Sequence, residues 1–181
     1  MLSPFQKRKL TRYFNCIDHN AKGYFTIEDV DAIAIRLAQG KQIPLDSDVF
    51  ELIREGIRAI WSNARLYGFS QDPDKVTLSD WLVHEANILS KEEMVEGYMK
   101  KISRDVFDLV DTQGKGVIDE KQYCLLMESF AVEPGITNWC FRQMDTMNKG
   151  FLVREEFVRI VEDFHLSEDR SAPGNYLFGI Y

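Results

Sequence analysis

The chain has 181 residues, 45% hydrophobic and 12% aromatic, enough for one packed domain or two small lobes sharing a core. Its formal net charge of −7 argues against nucleic acid or an anionic membrane surface as the main partner, and suits a cation or a basic protein. Three scattered cysteines, Cys16, Cys124 and Cys140, form no C-x-x-C pair and read as reduced core thiols of an intracellular protein. Residues 1–10 show no signal peptide, and no apolar run approaches the roughly 20 residues that span a bilayer. A soluble, cytoplasmic protein without a transmembrane segment is expected.

Ser3-Pro4 predicts a helix start, with proline at the first helical position, and Leu10, Tyr13, Phe14 and Ile17 fall on one face. Val30, Ile33 and Leu37 mark a second helix that Gly40 ends. Asp46 or Ser47 caps a longer third helix, whose buried stripe is expected to be Val49, Leu52, Ile53, Ile57, Ile60 and Trp61. A polar stretch over 68–75 leads to Val76 and a short fourth helix carrying Trp81, Leu82 and Leu89. Met94, Tyr98, Ile102, Val106 and Phe107 make a fifth, and Tyr123, Met127 and Phe130 a sixth, before the Pro134-Gly135 break. Ile136, Cys140, Phe141 and Met144 form the seventh, and Phe157, Ile160, Val161 and Phe164 the eighth.

One phrase recurs three times between these helices: Phe, an apolar residue three places on, Asp next, Gly five residues further, and an apolar residue two beyond. The copies are Phe14-Ile17-Asp18-Gly23-Phe25, Phe107-Val110-Asp111-Gly116-Ile118 and Phe141-Met144-Asp145-Gly150-Leu152. An incoming helix supplies the Phe, a loop opens at the Asp and bends at the Gly, and a short extended piece follows. That is the layout of a helix–loop–helix calcium site, the EF-hand. A lone unit cannot bury its apolar face, so a degenerate fourth is expected between Trp61 and Trp81, with Val76 as its extended piece and Asp80 at its last loop position. The expected fold is all-α: four EF-hand units in two paired lobes, compact, with short β-bridges at Phe25, Val76, Ile118 and Leu152. Residues 1–90 would form the first pair, 91–165 the second, and 166–181 a tail packing on the body.

Calcium takes six to eight oxygens, usually from loop positions 1, 3, 5, 7 (a backbone carbonyl), 9 and a bidentate Glu at 12. The first loop, 18–29, offers Asp18, Asn20, the Tyr24 carbonyl and Asp29, but Lys22 at position 5. The third, 111–122, has Gln113, Lys115 and Gln122 where ligands belong, leaving Asp111 and Asp119 as its acids at ligand positions. The fourth, 145–156, keeps Asp145 and Glu156 around Met147, Lys149 and Val153. The second has Asp72, Asp74 and Asp80 in no ligand order. Lysine thus replaces a ligand in three loops. A unit-charge pair at 4 Å and an effective dielectric near 20 is worth about 4 kcal/mol, so each exchange works against a divalent ion. Two readings follow: the lysines point into water, or each ammonium bridges the acids of its own loop. Most loops are expected to be empty, with Ca²⁺ or Mg²⁺ held at low affinity by the first loop and, with less support, the fourth.

The chain resembles the sarcoplasmic calcium-binding proteins, and within them the calexcitin type. The likeness rests on Phe5-Gln6-Lys7, Phe14-Asn15, Ile60-Trp61, Val76-Thr77, Trp81-Leu82 and the run Gly174-Asn175-Tyr176-Leu177-Phe178-Gly179. It implies an all-helical protein whose tail packs back on the body, and calcium or magnesium binding. The ligand pattern transfers at position 1 (Asp18, Asp111, Asp145), at position 3 only at Asn20, at position 5 nowhere, and at position 12 at Glu156, with Asp29 a variant.

His19, His84 and His165 share no ligand spacing; His19 reads as exposed and the other two as packing residues. Photoproteins and luciferin-binding proteins of similar fold enclose an aromatic ligand with His, Trp and Tyr, and Trp61, Trp81, Trp139, Tyr123 and Tyr176 could line such a pocket. No catalytic grouping stands out, so no enzyme activity is expected. The leading expectation is an interaction or adaptor module for an unidentified protein partner, with calcium binding weak or lost. The alternatives are a residual Ca²⁺/Mg²⁺ buffer or sensor, and a carrier of an apolar aromatic ligand.

Overall fold

Several helices begin where a side chain can satisfy their first free N–H groups. Ser3 Oγ accepts from the Gln6 amide at 3.2 Å while Gln6 Oε1 accepts from the Ser3 amide at 2.9 Å, starting α1 (Pro4–Ile17). Asp29 answers the Thr26 amide at 2.8 Å and opens α2 (Ile27–Gly40). Ser47 caps α3 (Asp48–Gly68), Thr77 and Asp80 cap α4 (Leu78–Leu89) reciprocally, and Asp119 and Gln122 do the same for α6 (Glu120–Ser129). Helix α5, residues 92–110, is interrupted by a π turn at Val95–Met99; α7 is Pro134–Met144 and α8 is Arg154–Leu166. This computed structural model describes residues 1–111 and 113–181, and among them the fold is all-α with eight helices.

The loops meet in pairs through two-residue and three-residue antiparallel ladders. β1 (Tyr24–Phe25) pairs with β2 (Val76–Thr77), setting Phe25 opposite Val76. β3 (Val117–Asp119) pairs with β4 (Phe151–Val153), setting Ile118 opposite Leu152. All four bridge residues are buried, so each ladder fastens two loops to the core as well as to each other.

The four helix–loop–helix units share one continuous core built on Phe14, Phe25, Trp81, Phe107, Phe141 and Phe157. One expectation is corrected here. Val49 and Leu52 are 50% and 66% exposed, and the buried side of α3 is Phe50, Ile53, Ile57 and Ala64. A stripe at positions 50, 53, 57 and 64 keeps a 3.6-residue period, and 49 and 52 fall outside it.

Residues 173–178 lie back on the body. Gly174 passes so close to α8 that an added Cβ would sit 2.4 Å from the Ile160 carbonyl oxygen. Lys9 is fully buried, and its ammonium donates to the carbonyls of Asp163 and Ser167 at 3.2 and 2.8 Å and to Asn175 Oδ1 at 2.9 Å. Arg12 Nε and Tyr123 Oη donate to the carbonyls of Phe178 and Leu177 at 2.9 and 2.8 Å. The three cysteines are free and buried. Among the described residues no helix is long and apolar enough to cross a membrane.

Candidate functional site

The three loops that repeat the phrase share one internal frame. Asp18, Asp111 and Asp145 each accept two backbone N–H groups. The amides of Lys22, Lys115 and Lys149 lie at 3.0 Å, and those of Gly23, Gly116 and Gly150 at 2.7, 2.6 and 2.6 Å. The glycines take φ of +83°, +73° and +80°, the left-handed region that a side chain would strain.

The lysines diverge from there. Lys22 Nζ turns inward and donates to both oxygens of Asp29 at 2.5 and 2.6 Å. Lys149 Nζ does the same to Glu156 at 2.7 and 2.6 Å. Lys115 has no carboxylate within ion-pair distance among the described residues, where Gln122 stands in place of an acid. Burial works against the charge on Asp29 and Glu156, but the lysine hydrogen bond, the backbone amide of Thr26 or Val153 and the lysine charge together outweigh it and hold both carboxyls below their ordinary range.

A divalent ion does not fit these donors. In loops 1 and 4 the bidentate carboxylate it would use is already engaged by an ammonium of the same loop. Asn20 lies exposed, as does Met147, while Val153 brings no side-chain oxygen. Among the described residues no three His, Cys, Asp or Glu side chains converge on a point where a metal could sit. In the second loop Asp72 accepts from the Asp74 amide and Asp80 caps α4, so these acids serve local turns.

A second site lies between the two pairs of units. A cavity of about 120 Å³ is walled by α1, α3, α4, α5, α6, α8 and the tail. Most of the wall is apolar: Ile57, Ile88, Met99, Met127, Phe130 and Phe178 among others. Six polar side chains interrupt it: Ser103, whose hydroxyl donates to the Met99 carbonyl at 2.8 Å, and Tyr13, His84, Glu85, Tyr98 and His165. The π turn of α5 carries Tyr98 and Met99 to the wall, a common use of such turns.

The polar edge is under-satisfied. Both ring nitrogens of buried His84 have no hydrogen-bond partner; Nδ1 lies 3.5 Å from Glu85 Oε1 without hydrogen-bond geometry. Glu85 is 4% exposed, and its other contact, to His165 Nε2, is 3.9 Å. Burial opposes its ionisation, but neighbouring His84 and His165 offset that and keep its carboxyl below the ordinary range. His165 Nδ1 lies 2.7 Å from the Val161 carbonyl. Burial raises the phenol pKa of Tyr13 and Tyr98, reinforced by the Glu85 charge, so both stay protonated donors.

Of the five aromatics expected around a ligand, only Trp81 faces this cavity. Trp139 is 44% exposed and packs edge-on against Tyr176, Tyr123 is turned to the tail, and Trp61 lies outside the wall. Glu85, Tyr13 and Tyr98 were missed as site residues. One signal was legible: Trp81, Glu85 and Ile88 fall at i, i+4 and i+7, placing a carboxylate on the buried stripe of α4.

Four helix–loop–helix units, paired loop to loop, make up the four-EF-hand fold. No family model matches the chain. It is 25% identical over 180 residues to the luciferin-binding protein of Renilla reniformis, covering 97% of this chain and 94% of that one. Among solved structures it superposes on okadaic acid binding protein 2.1 with a TM-score of 0.75 at 20% identity, over 99% and 97% of the two chains. It also superposes on the sarcoplasmic calcium-binding protein of amphioxus, TM-score 0.68 at 16% identity, over the full length of both. The fold is that of the EF-hand sarcoplasmic calcium-binding proteins.

Proposed function

We propose that this protein is a non-catalytic carrier of a small aromatic ligand with a polar edge, bound in the central cavity. The observation that carries this reading is His84, buried at the cavity wall with both ring nitrogens unpartnered, beside a Glu85 carboxyl whose nearest histidine nitrogens stand at 3.5 and 3.9 Å. Leaving such a group unpaired costs about 1–3 kcal/mol. A ligand offering an N–H or O–H to Glu85 and a partner to His84 relieves that cost, while Tyr13 and Tyr98 donate to its acceptors. A hole of this size takes one aromatic ring, comparable to a cavity of about 150 Å³ that binds benzene. Met99 and Met127 line it with flexible side chains that can yield to a larger body. The luciferin-binding relative and the okadaic-acid-binding neighbour support the carrier role, and nothing in the polar edge requires a chemical step.

The adaptor role expected from the sequence drew on loops without ligands, and the cavity is the stronger ground. Titrating the purified protein with a luciferin and with anilinonaphthalenesulfonate, read by tryptophan emission, tests the proposal. Saturable 1:1 binding is expected, weakened about tenfold (1.4 kcal/mol) by His84→Leu. Gly56→Trp should block entry: Gly56 lies exposed at the rim, with nothing within 4 Å of an added Cβ. Absence of saturable binding by either probe, with no small molecule retained in native mass spectrometry, rejects it.

A further inference from the structure

We propose that Lys22 and Lys149 are tethered cations that take the place of a divalent ion in loops 1 and 4. These loops, and the cavity walls attached to them, then keep one shape whether or not calcium or magnesium is present.

Three observations converge. Each ammonium grips both oxygens of the position-12 carboxylate, the group that would otherwise coordinate an ion bidentately. Each also lies over the aromatic ring at position 7 of its own loop, Tyr24 at 5.5 Å and Phe151 at 5.0 Å, so a ring face joins the carboxylate in holding the charge. The position-1 aspartate, meanwhile, commits both oxygens to the amides of positions 5 and 6, which fixes the backbone from which the lysine reaches across.

Simple loss of ligands would let the lysine stems swing outward, since a long ammonium side chain gains hydration there. Two lysines instead make the same inward bidentate contact, leaving only 30% and 24% of their side chains exposed. Loop 3 is an internal control. It has the lysine but Gln122 at position 12 and Val117 at position 7, and there the clasp is missing among the described residues.

The clasped loops are mechanically joined to the cavity. Phe25, three residues after Lys22, packs against the cavity residue Trp81 with ring centres 6.0 Å apart. Phe157, the residue after Glu156, is itself part of the wall. A divalent ion entering either loop would have to displace the ammonium and then face its charge.

The test follows thermal unfolding of the full chain in EDTA and in millimolar calcium or magnesium, with no small-molecule ligand present, so its outcome is independent of the carrier reading. The wild-type Tm and tryptophan emission should coincide in all three buffers. Lys22→Met and Lys149→Met should each lower Tm by about 2–4 °C, while Lys115→Met leaves it unmoved. A calcium-dependent rise of that size in the wild type, or micromolar calcium uptake in calorimetry, overturns the proposal. So does an unshifted Tm in both Lys22→Met and Lys149→Met. The wild-type arm can overturn the proposal even if a variant does not fold, and Lys22→Met and Lys149→Met each separate the clasp from simple ligand loss.

Discussion

Loops 1 and 4 differ from loop 3 at two of the positions that matter. All three have an aspartate receiving two backbone amides, a left-handed glycine and a lysine at position 5. Loops 1 and 4 add an acid at position 12 and an aromatic ring at position 7; loop 3 has Gln122 and Val117. The aspartate–amide frame therefore stands without the lysine clasp. Whether a loop lysine is a structural part or a solvated side chain is decided by its partners and not by its own identity.

The largest test of that contrast lies in the common frame. Asp18→Ala, Asp111→Ala and Asp145→Ala each remove two charge-assisted bonds from a buried carboxylate to loop amides and should cost about 2–4 kcal/mol by urea unfolding. The cost should be similar in all three, and a much smaller value for Asp111→Ala would break the shared-frame reading. The clasp comes next. In urea, Lys22→Met and Lys149→Met should lose about 1 kcal/mol, against less than about 0.5 kcal/mol for Lys115→Met. That difference should shrink at 1 M salt, where the screening length falls to about 3 Å. Gln122→Glu offers loop 3 the missing acid and should gain no more than about 0.5 kcal/mol by the same measurement, most of it lost again when Lys115→Met is added.

Lys9 sharpens the contrast from outside the loops. It is a buried ammonium bonded to neutral oxygens, and burial lowers its pKa to about 8 although Asp163 and Glu168 pull the other way. Between about 8 and the ordinary 10.5, the unfolded chain binds more protons at this site than the folded one. The contribution of Lys9 to stability should therefore rise across that window. The difference in unfolding midpoint between wild type and Lys9→Met, followed from pH 7 upward, should grow with pH; a decrease would contradict the sign.

The frame was legible because its signals are local. A Phe, an Asp and a Gly at fixed offsets write each loop, and Ser3-Pro4 and Thr77 with Asp80 write helix starts. Periodicity also served where helices are packed on one side, but on α3 it admitted Val49 and Leu52, which solvent covers. The cavity was not legible in the same way. Its wall is drawn from seven segments, and the sequence marks which rings exist without marking which of them face one another. Trp139 and Tyr176 pair at the surface, while Tyr98 is brought in by a π turn whose only local mark is Gly97. Glu85 beside His84 was readable as an anomaly, a carboxylate on an apolar stripe, had its helical phase been weighed.

The clasp of Lys9 on Asn175 holds down the segment that closes the cavity. Leu177 and Phe178 complete the cavity, yet they are made after every helix that forms the rest of it. A nascent chain folded up to α8 presents an open trough, apolar and accessible. Under the carrier proposal, a ligand caught at that stage would be sealed in when the tail docks, and one arriving later would need the rim at Gly56 or a transient release of the tail.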